Sequence, residues 1–175
     1  MIYLSYKATR GIGIVQSILK RVYSSKKISL ALKIISHLSV AVGTLVFFGI
    51  LIHSYFNEPL LYSVKLLLCA AIPFFLVTAA RKIINAPRPY ELYGFYEMRP
   101  KDKEGQSLPS RHVFSAFVIA TLSYLVSTPL AIALAALGVC LAVCRVLLGL
   151  HFIRDVVCGA LIGILSGIIG ILIII

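Results

Sequence analysis

The sequence predicts an all-α integral membrane protein, a bundle of about five transmembrane helices preceded by a basic amphipathic helix. Its composition is the first indication, because 60% of the 175 residues are hydrophobic and 13% are charged. An average soluble domain is about 45–50% apolar and about 25% charged. The mean hydropathy of +1.00 agrees, and long apolar runs recur between short polar breaks. These features exclude intrinsic disorder and a disulfide-stapled secreted module.

The amino-terminal region, residues 1–28, carries positive charge and no acidic residue. Apolar residues recur in it at helical spacing from Ile12 to Val22. The apolar run is too short to cross a bilayer, and no small-residue cleavage site follows it. We therefore expect a basic amphipathic helix that lies in the membrane interface, with a frayed tail as the alternative.

Residues 29–175 contain five apolar segments, which we interpret as one transmembrane domain with a polar catalytic loop at 81–112. The third segment is short for a span, so we expect its helix to begin within the polar stretch or to lean against its neighbours. Glycine occupies every fourth position from Gly159 to Gly167 in the fifth segment, which predicts close helix–helix contact. The segments are 29–55, 60–80, 112–126, 130–148 and 153–175.

Polar residues cluster where the apolar segments begin or end. In an alternating set of spans, the ends of the second and fourth segments share one membrane face with the starts of the third and fifth. We therefore expect the polar side chains at these four places to converge on one interfacial pocket. They are Arg81, Arg88, Ser110, His112, Arg145, His151 and Asp155.

These residue types indicate phosphoryl transfer. Several guanidinium groups in one pocket match the oxygens of a phosphoryl group and stabilise the charge that develops during transfer. His151 and Asp155 are four apart, so on a helix the carboxylate would hold one imidazole nitrogen protonated and leave the other to attack phosphorus. His112, from another segment, would protonate the leaving oxygen. Nothing in the pattern matches a zinc or magnesium site, so covalent catalysis without a metal is the economical interpretation.

Three motifs in this region resemble a known family. Their pattern is Arg81-x6-Arg88-Pro89, then Pro109-Ser110-Arg111-His112, then Arg145-x5-His151-x3-Asp155. It resembles the three-part signature of the type 2 phosphatidic acid phosphatase (PAP2) family, whose superfamily includes vanadium haloperoxidases and bacterial acid phosphatases. The sequence departs from that signature twice, since Arg81 stands where the family usually has Lys and Cys144 where it usually has Ser. Neither departure changes the histidines or the aspartate.

The resemblance implies a role for each matched residue. His151 would be the nucleophile that forms a phosphohistidine, oriented by Asp155. His112 would act as general acid and then activate water. The phosphate would be bound by Arg81, Arg88, Arg145 and Ser110, with Lys82 and Arg111 as further candidates.

The resemblance also implies the substrate class. The membrane members of the family remove phosphate from lipids such as phosphatidate, phosphatidylglycerol phosphate or undecaprenyl diphosphate, and they use no metal cofactor. We therefore expect a lipid phosphate in the bilayer as partner, no cofactor and no nucleic acid, and the oligomeric state stays open. A lipid phosphotransferase with the same intermediate is the alternative. A small transporter, suggested by Lys33 and His37 in an apolar span, would leave the polar constellation unexplained.

Two indications disagree about membrane orientation. The tail and the catalytic loops are predicted on one side, which carries 15 of the 17 Lys and Arg residues. The positive-inside rule places that side in the cytoplasm. Many membrane members of the family face outward instead. We expect a multi-pass protein of the cell membrane with an extracytoplasmic catalytic face, and the two indications agree if the tail itself crosses the membrane.

Overall fold

The computed structural model describes residues 11–93 and 104–175, with side chains from residue 16 onward, and within these ranges it is helical without strands. The predicted regions 1–28 and 81–112 are therefore each described in part, and residues 1–10 and 94–103 lie outside the description. A short 3-10 turn, Ser123–Leu125, extends the fifth helix. The helices are α1 (Gly11–Ser24), α2 (Lys26–Asn57), α3 (Leu60–Ile84), α4 (Pro89–Leu92), α5 (Arg111–Leu122), α6 (Thr128–Leu147) and α7 (Ile153–Ile174).

Four helical stretches are long and apolar enough to cross a membrane. Their outer surfaces remain apolar, with Leu45, Phe56 and Leu172 all more than two-thirds exposed, as expected for side chains that contact lipid. Together with the shorter apolar helix α5, these stretches confirm the predicted all-α bundle of about five membrane helices. The four stretches are Lys26–Asn57, Leu60–Leu92, Thr128–Leu147 and Ile153–Ile174.

Helix α5, the short third segment, occupies the centre of the bundle. It packs against α2, α3, α6 and α7, and Val113, Phe114 and Leu122 are fully buried. Because protein rather than lipid surrounds this helix, it does not need the length of a lipid-exposed span. It begins at the last residue of the polar stretch and leans against its neighbours, as predicted.

The glycines of α7 bring it into contact with the backbone of α5. A Cβ atom at Gly159 would stand 2.6 Å from the Ser110 carbonyl oxygen, and one at Gly163 would stand 2.6 Å from the Phe114 carbonyl oxygen. Side chains at these positions would push the two helices apart, so the predicted close contact is confirmed. The consequence is positional, because the amino-terminal ends of α5 and α7 lie side by side.

Candidate active site

The end of α3 and the starts of α5 and α7 meet at one end of the bundle. The Ser110 N–H at the start of α5 donates to the Asp155 carbonyl oxygen of α7 at 2.9 Å. Arg81, in the last turn of α3, donates from Nη1 to the Pro109 carbonyl oxygen at 2.6 Å and from Nη2 to the Gln106 carbonyl oxygen. The buried Arg81 side chain thus fastens the loop before α5 to the end of α3.

The loop at 104–107 is also held from the side of α4. The buried Arg88 donates from Nε to the Gly105 carbonyl oxygen at 2.9 Å. Glu91 accepts from the Gly105 N–H at 2.7 Å and from the Arg88 N–H at 3.3 Å. The Ser107 N–H donates to the Ala86 carbonyl oxygen at 2.8 Å. Two of the predicted phosphate ligands therefore also position the loop that precedes α5.

A cavity of about 260 Å³ opens between these elements. It contains three guanidinium groups and the Glu104 carboxylate, so its lining is predominantly cationic at neutral pH. The Arg111 guanidinium lies over the Phe74 ring, 5.5 Å from the ring centroid. Lys82 is exposed and is not part of the lining. The lining residues are Thr78, Arg81, Arg88, Glu104, Gly105, Gln106 and Arg111.

His151 is buried and is not part of the lining of this cavity. It makes its polar contact with the loop before α5. Its Nδ1 lies 2.9 Å from the Ser107 carbonyl oxygen, to which it donates. With Nδ1 carrying the proton, Nε2 carries the lone pair. Burial lowers the pKa of His151 to about 4, the nearby Arg88 and Arg81 act in the same direction, and Asp155 opposes them. The imidazole is therefore neutral at physiological pH, which is the form a nucleophile requires.

Asp155 does not hold His151 directly, in contrast to the arrangement inferred from their spacing. The Asp155 Oδ2 and His151 Nδ1 atoms are 3.9 Å apart, beyond hydrogen-bond distance. Helix α7 begins at Ile153, so His151 precedes the helix and the rule for residues four apart does not apply. Asp155 Oδ2 instead caps the helix by accepting from the Phe152 N–H at 2.9 Å.

Ser107 connects the two residues, and the sequence reasoning missed it. This fully buried side chain donates from Oγ to Asp155 Oδ2, while its Oγ lies 3.4 Å and its carbonyl oxygen 2.9 Å from His151 Nδ1. Its one sequence signal is its place three residues before Ser110, which does not distinguish it from an ordinary loop serine. Asp155 therefore acts on His151 through Ser107 as well as through its charge.

Two buried donors face the junction of α5, α6 and α7. Within residues 16–93 and 104–175, Arg145 Nε and Ser110 Oγ have no hydrogen-bond partner. A buried donor without a partner costs about 1–3 kcal/mol, so both groups are suited to an oxygen-rich ligand. His112, in the first turn of α5, lies near Arg145 and His151. The junction thus combines an imidazole pair with donors for an anion.

The next feature is the distribution of possible metal ligands among the described residues. In the part of the chain that the structure describes, no three His, Cys, Asp or Glu side chains are grouped so that they could hold a metal ion. The cationic groups of the site are guanidinium groups, which bind phosphate oxygens in a bidentate geometry. The cations described around the cavity are therefore the side chains of Arg81, Arg88 and Arg111.

Comparisons with known proteins show which folds and which family the chain resembles. LpxE of Aquifex aeolicus superposes with a TM-score of 0.66 and 25% identity over 91% of this chain and 93% of LpxE. A transmembrane PAP2-type phosphatidylglycerolphosphate phosphatase of Bacillus subtilis superposes with a TM-score of 0.71 and 20% identity, over 98% of this chain and 90% of that one. A search of curated proteins finds no match. The family model of the PAP2 superfamily matches residues 62–174, which include every motif residue of the site, and the chain therefore belongs to the PAP2 superfamily.

Proposed function

We propose that this protein is an integral membrane phosphatase that removes phosphate from a membrane lipid through a phosphohistidine at His151. The observation that carries the proposal is the buried, neutral imidazole whose Nδ1 proton is donated to Ser107, beside a cluster of arginines. Membership of the PAP2 superfamily and the likeness to two membrane phosphatases support it.

The first half of the reaction transfers the phosphoryl group to the enzyme. His151 Nε2 attacks phosphorus, the bond between phosphorus and the lipid oxygen breaks, and a P–N bond forms. The negative charge of the bound phosphate favours the protonated form of His112. His112 gives this proton to the leaving lipid oxygen, so the dephosphorylated lipid departs as a neutral alcohol, or as a phosphate if the substrate is a diphosphate. Ser107 and Asp155 stabilise the positive charge that develops on the imidazole.

The second half releases phosphate. His112, now neutral, takes a proton from water as the water oxygen attacks phosphorus. The P–N bond breaks, its electron pair returns to Nε2, and inorganic phosphate leaves. Arg81, Arg88 and Arg145, with the Ser110 hydroxyl, stabilise the equatorial phosphoryl oxygens in both steps.

The dimensions of the site favour a lipid whose headgroup alone enters it. The cavity of about 260 Å³ is smaller than the 300–1,000 Å³ or so of pockets that enclose whole drug-sized ligands. The helices that surround it present apolar outer surfaces, along which acyl or prenyl chains could remain in the bilayer. This geometry suits phosphatidate, phosphatidylglycerol phosphate and undecaprenyl diphosphate alike. We place the catalytic face on the extracytoplasmic side of the cell membrane, with the cytoplasmic side as the alternative that the basic residues favour.

The transporter alternative gains no support from the structure. Lys33 and His37 are both exposed on α2, and His37 Nδ1 lies 2.6 Å from the Lys33 carbonyl oxygen. Neither side chain lines a path between helices.

Phosphate release by purified protein in detergent, with EDTA present, tests the proposed function. The substrates are the three lipid phosphates named above, each assayed with and without an added alcohol as phosphoryl acceptor. We expect release from at least one lipid at an unchanged rate in EDTA, with inorganic phosphate and the dephosphorylated lipid as the only products. A phosphorylated alcohol as the main product would indicate the phosphotransferase instead. Loss of activity in EDTA would contradict the metal-free reaction.

Replacement of Ser107 by alanine tests the link between His151 and Asp155. The variant loses the hydroxyl that contacts both residues but keeps the carbonyl oxygen that accepts from His151. A hydrogen bond to a charged group is worth about 1.5–3 kcal/mol, so we expect kcat to fall about 10- to 100-fold with little change in KM.

The matched control is Ser123→Ala, since Ser123 is equally buried and its hydroxyl donates to the Ile119 carbonyl oxygen of α5. Ser123 lies at the opposite end of α5 from the site. Equal kcat values for the two variants would show that Ser107 does not position the nucleophile.

A further inference from the structure

Helix α1 contacts the segment that carries the nucleophile. Tyr23 donates from its hydroxyl to the carbonyl oxygen of Leu148, in the segment 148–152 between α6 and α7. Burial raises the pKa of Tyr23 to about 12, so this hydroxyl stays a donor. Leu19 is fully buried against Gly149, where a Cβ atom would stand 2.9 Å from Leu19 Cδ2. Both contacts lie within three residues of His151.

The same segment is held from its other side by α4 and α6. The Gly149 carbonyl oxygen accepts from the Tyr90 N–H at 3.3 Å, and the Leu150 N–H donates to the Arg145 carbonyl oxygen at 3.1 Å. Gly149 has φ +62°, a left-handed conformation that favours glycine. Contacts with α1, α4 and α6 therefore hold the segment before His151 in place.

The outward side of α1 is cationic. Lys20 and Arg21 are exposed, as are Lys26 and Lys27 at the start of α2. Ile18 is 41% exposed beside them, and no acidic residue precedes Glu58 in the chain. Exposed cations next to an apolar residue at the end of a membrane bundle are complementary to anionic lipid headgroups.

We propose that α1 is a positioning element that couples the binding of anionic lipid headgroups to the placement of His151. Headgroups on the cationic side hold α1 at the membrane surface, and its buried side then holds the segment 148–152. The turnover number therefore rises with the anionic lipid content of the surrounding bilayer. The effect on turnover rests on the proposed function. The contact between α1 and lipid headgroups does not depend on that function.

The coupling is tested by kinetics in reconstituted vesicles of phosphatidylcholine alone or mixed with phosphatidylglycerol. The substrate is a water-soluble aryl phosphate at a saturating concentration, so that the two kinds of vesicle differ only in anionic lipid, and an effect on substrate binding, which changes KM, is separated from positioning, which changes kcat. We expect kcat of the native protein to be about fivefold higher in the anionic vesicles, at the low end of usual coupling between sites. Lys20→Gln/Arg21→Gln and Tyr23→Phe should both lose this rise.

Two control variants remove a cation or a tyrosine hydroxyl at positions outside α1. Lys33→Gln takes one cation from the exposed surface of α2, and Tyr124→Phe takes a hydroxyl from a tyrosine that is 58% exposed at the far end of α5. Both controls should keep the full response to anionic lipid. A response that survives in Tyr23→Phe, or in the double variant, overturns the proposal.

The lipid contact is measured without turnover by fluorescence. The chain contains no tryptophan, so Ile18→Trp supplies a single reporter on the outward side of α1. We expect brominated phosphatidylglycerol to quench its emission more strongly than brominated phosphatidylcholine, and Lys20→Gln/Arg21→Gln to abolish the difference. Equal quenching by the two lipids overturns the proposal. Absence of phosphate release from the native protein would instead overturn the proposed function, and the fluorescence would distinguish the two failures.

Discussion

Replacement of His151 by alanine is expected to lower phosphate release from the lipid substrate by at least about 10³-fold, because it removes the atom that attacks phosphorus. The imidazole is buried and neutral. The polar atoms described within hydrogen-bond distance of it are the carbonyl oxygen and Oγ of Ser107. The measurement is kcat/KM for phosphate release by purified protein in detergent.

Two further variants separate the chemical role of His151 from its volume. His151→Gln keeps a polar side chain in the buried site but offers no nucleophile, so its loss should match that of His151→Ala. His37→Ala removes an exposed imidazole from α2 and should retain native activity. Elution as a single species in gel filtration establishes that each variant is folded. Substantial phosphate release by folded His151→Gln would contradict the account.

Replacement of His112 by alanine is expected to lower turnover of a lipid phosphate by about 10²- to 10⁴-fold, the usual contribution of a general acid or base. The leaving lipid alkoxide or phosphate would depart without a proton, and water would attack the phosphohistidine without a base. The measurement is kcat for the lipid substrate beside kcat for an aryl phosphate.

The aryl substrate distinguishes the two roles of His112. An aryl phosphate releases a phenolate, which is a good leaving group and needs no proton. Formation of the phosphohistidine from it should therefore be much less impaired in His112→Ala. Hydrolysis of the intermediate still lacks its base and should become rate-limiting. Equal losses in the formation step for the aryl and lipid substrates would contradict the general-acid role.

The sequence predicted the fold and much of the placement of the site because membrane helices impose simple geometry. Apolar length identifies the spans, and alternation of the spans brings particular helix ends to one face. The contacts of Arg81 with Pro109, and of Ser110 with Asp155, join the helix ends that this reasoning paired. The glycine spacing predicted a close helix–helix contact for α7, and the structure shows that α5 is the partner.

Local hydrogen bonds were not predictable in the same way. The direct contact between Asp155 and His151 was expected from helical spacing, but the helix begins two residues after His151 and the carboxylate caps it. Ser107 was missed because its role depends on the path of residues 104–110 before α5, which Arg81 and Arg88 contact through their side chains. The hydrogen bond from Tyr23 to Leu148 joins residues 125 positions apart. Hydrophobic periodicity in the sequence does not indicate a contact of this kind.

The phosphohistidine is the central claim, and its accumulation in His112→Ala tests it most directly. The variant is mixed rapidly with an aryl phosphate, the phenolate burst is recorded, and the protein is quenched in alkali for mass spectrometry, since phosphohistidine survives base. The account predicts a burst approaching one phenolate per protein and a phosphoryl group on His151. A phosphoryl group on any other residue, or phenolate release without a burst when the native protein is active, would contradict it.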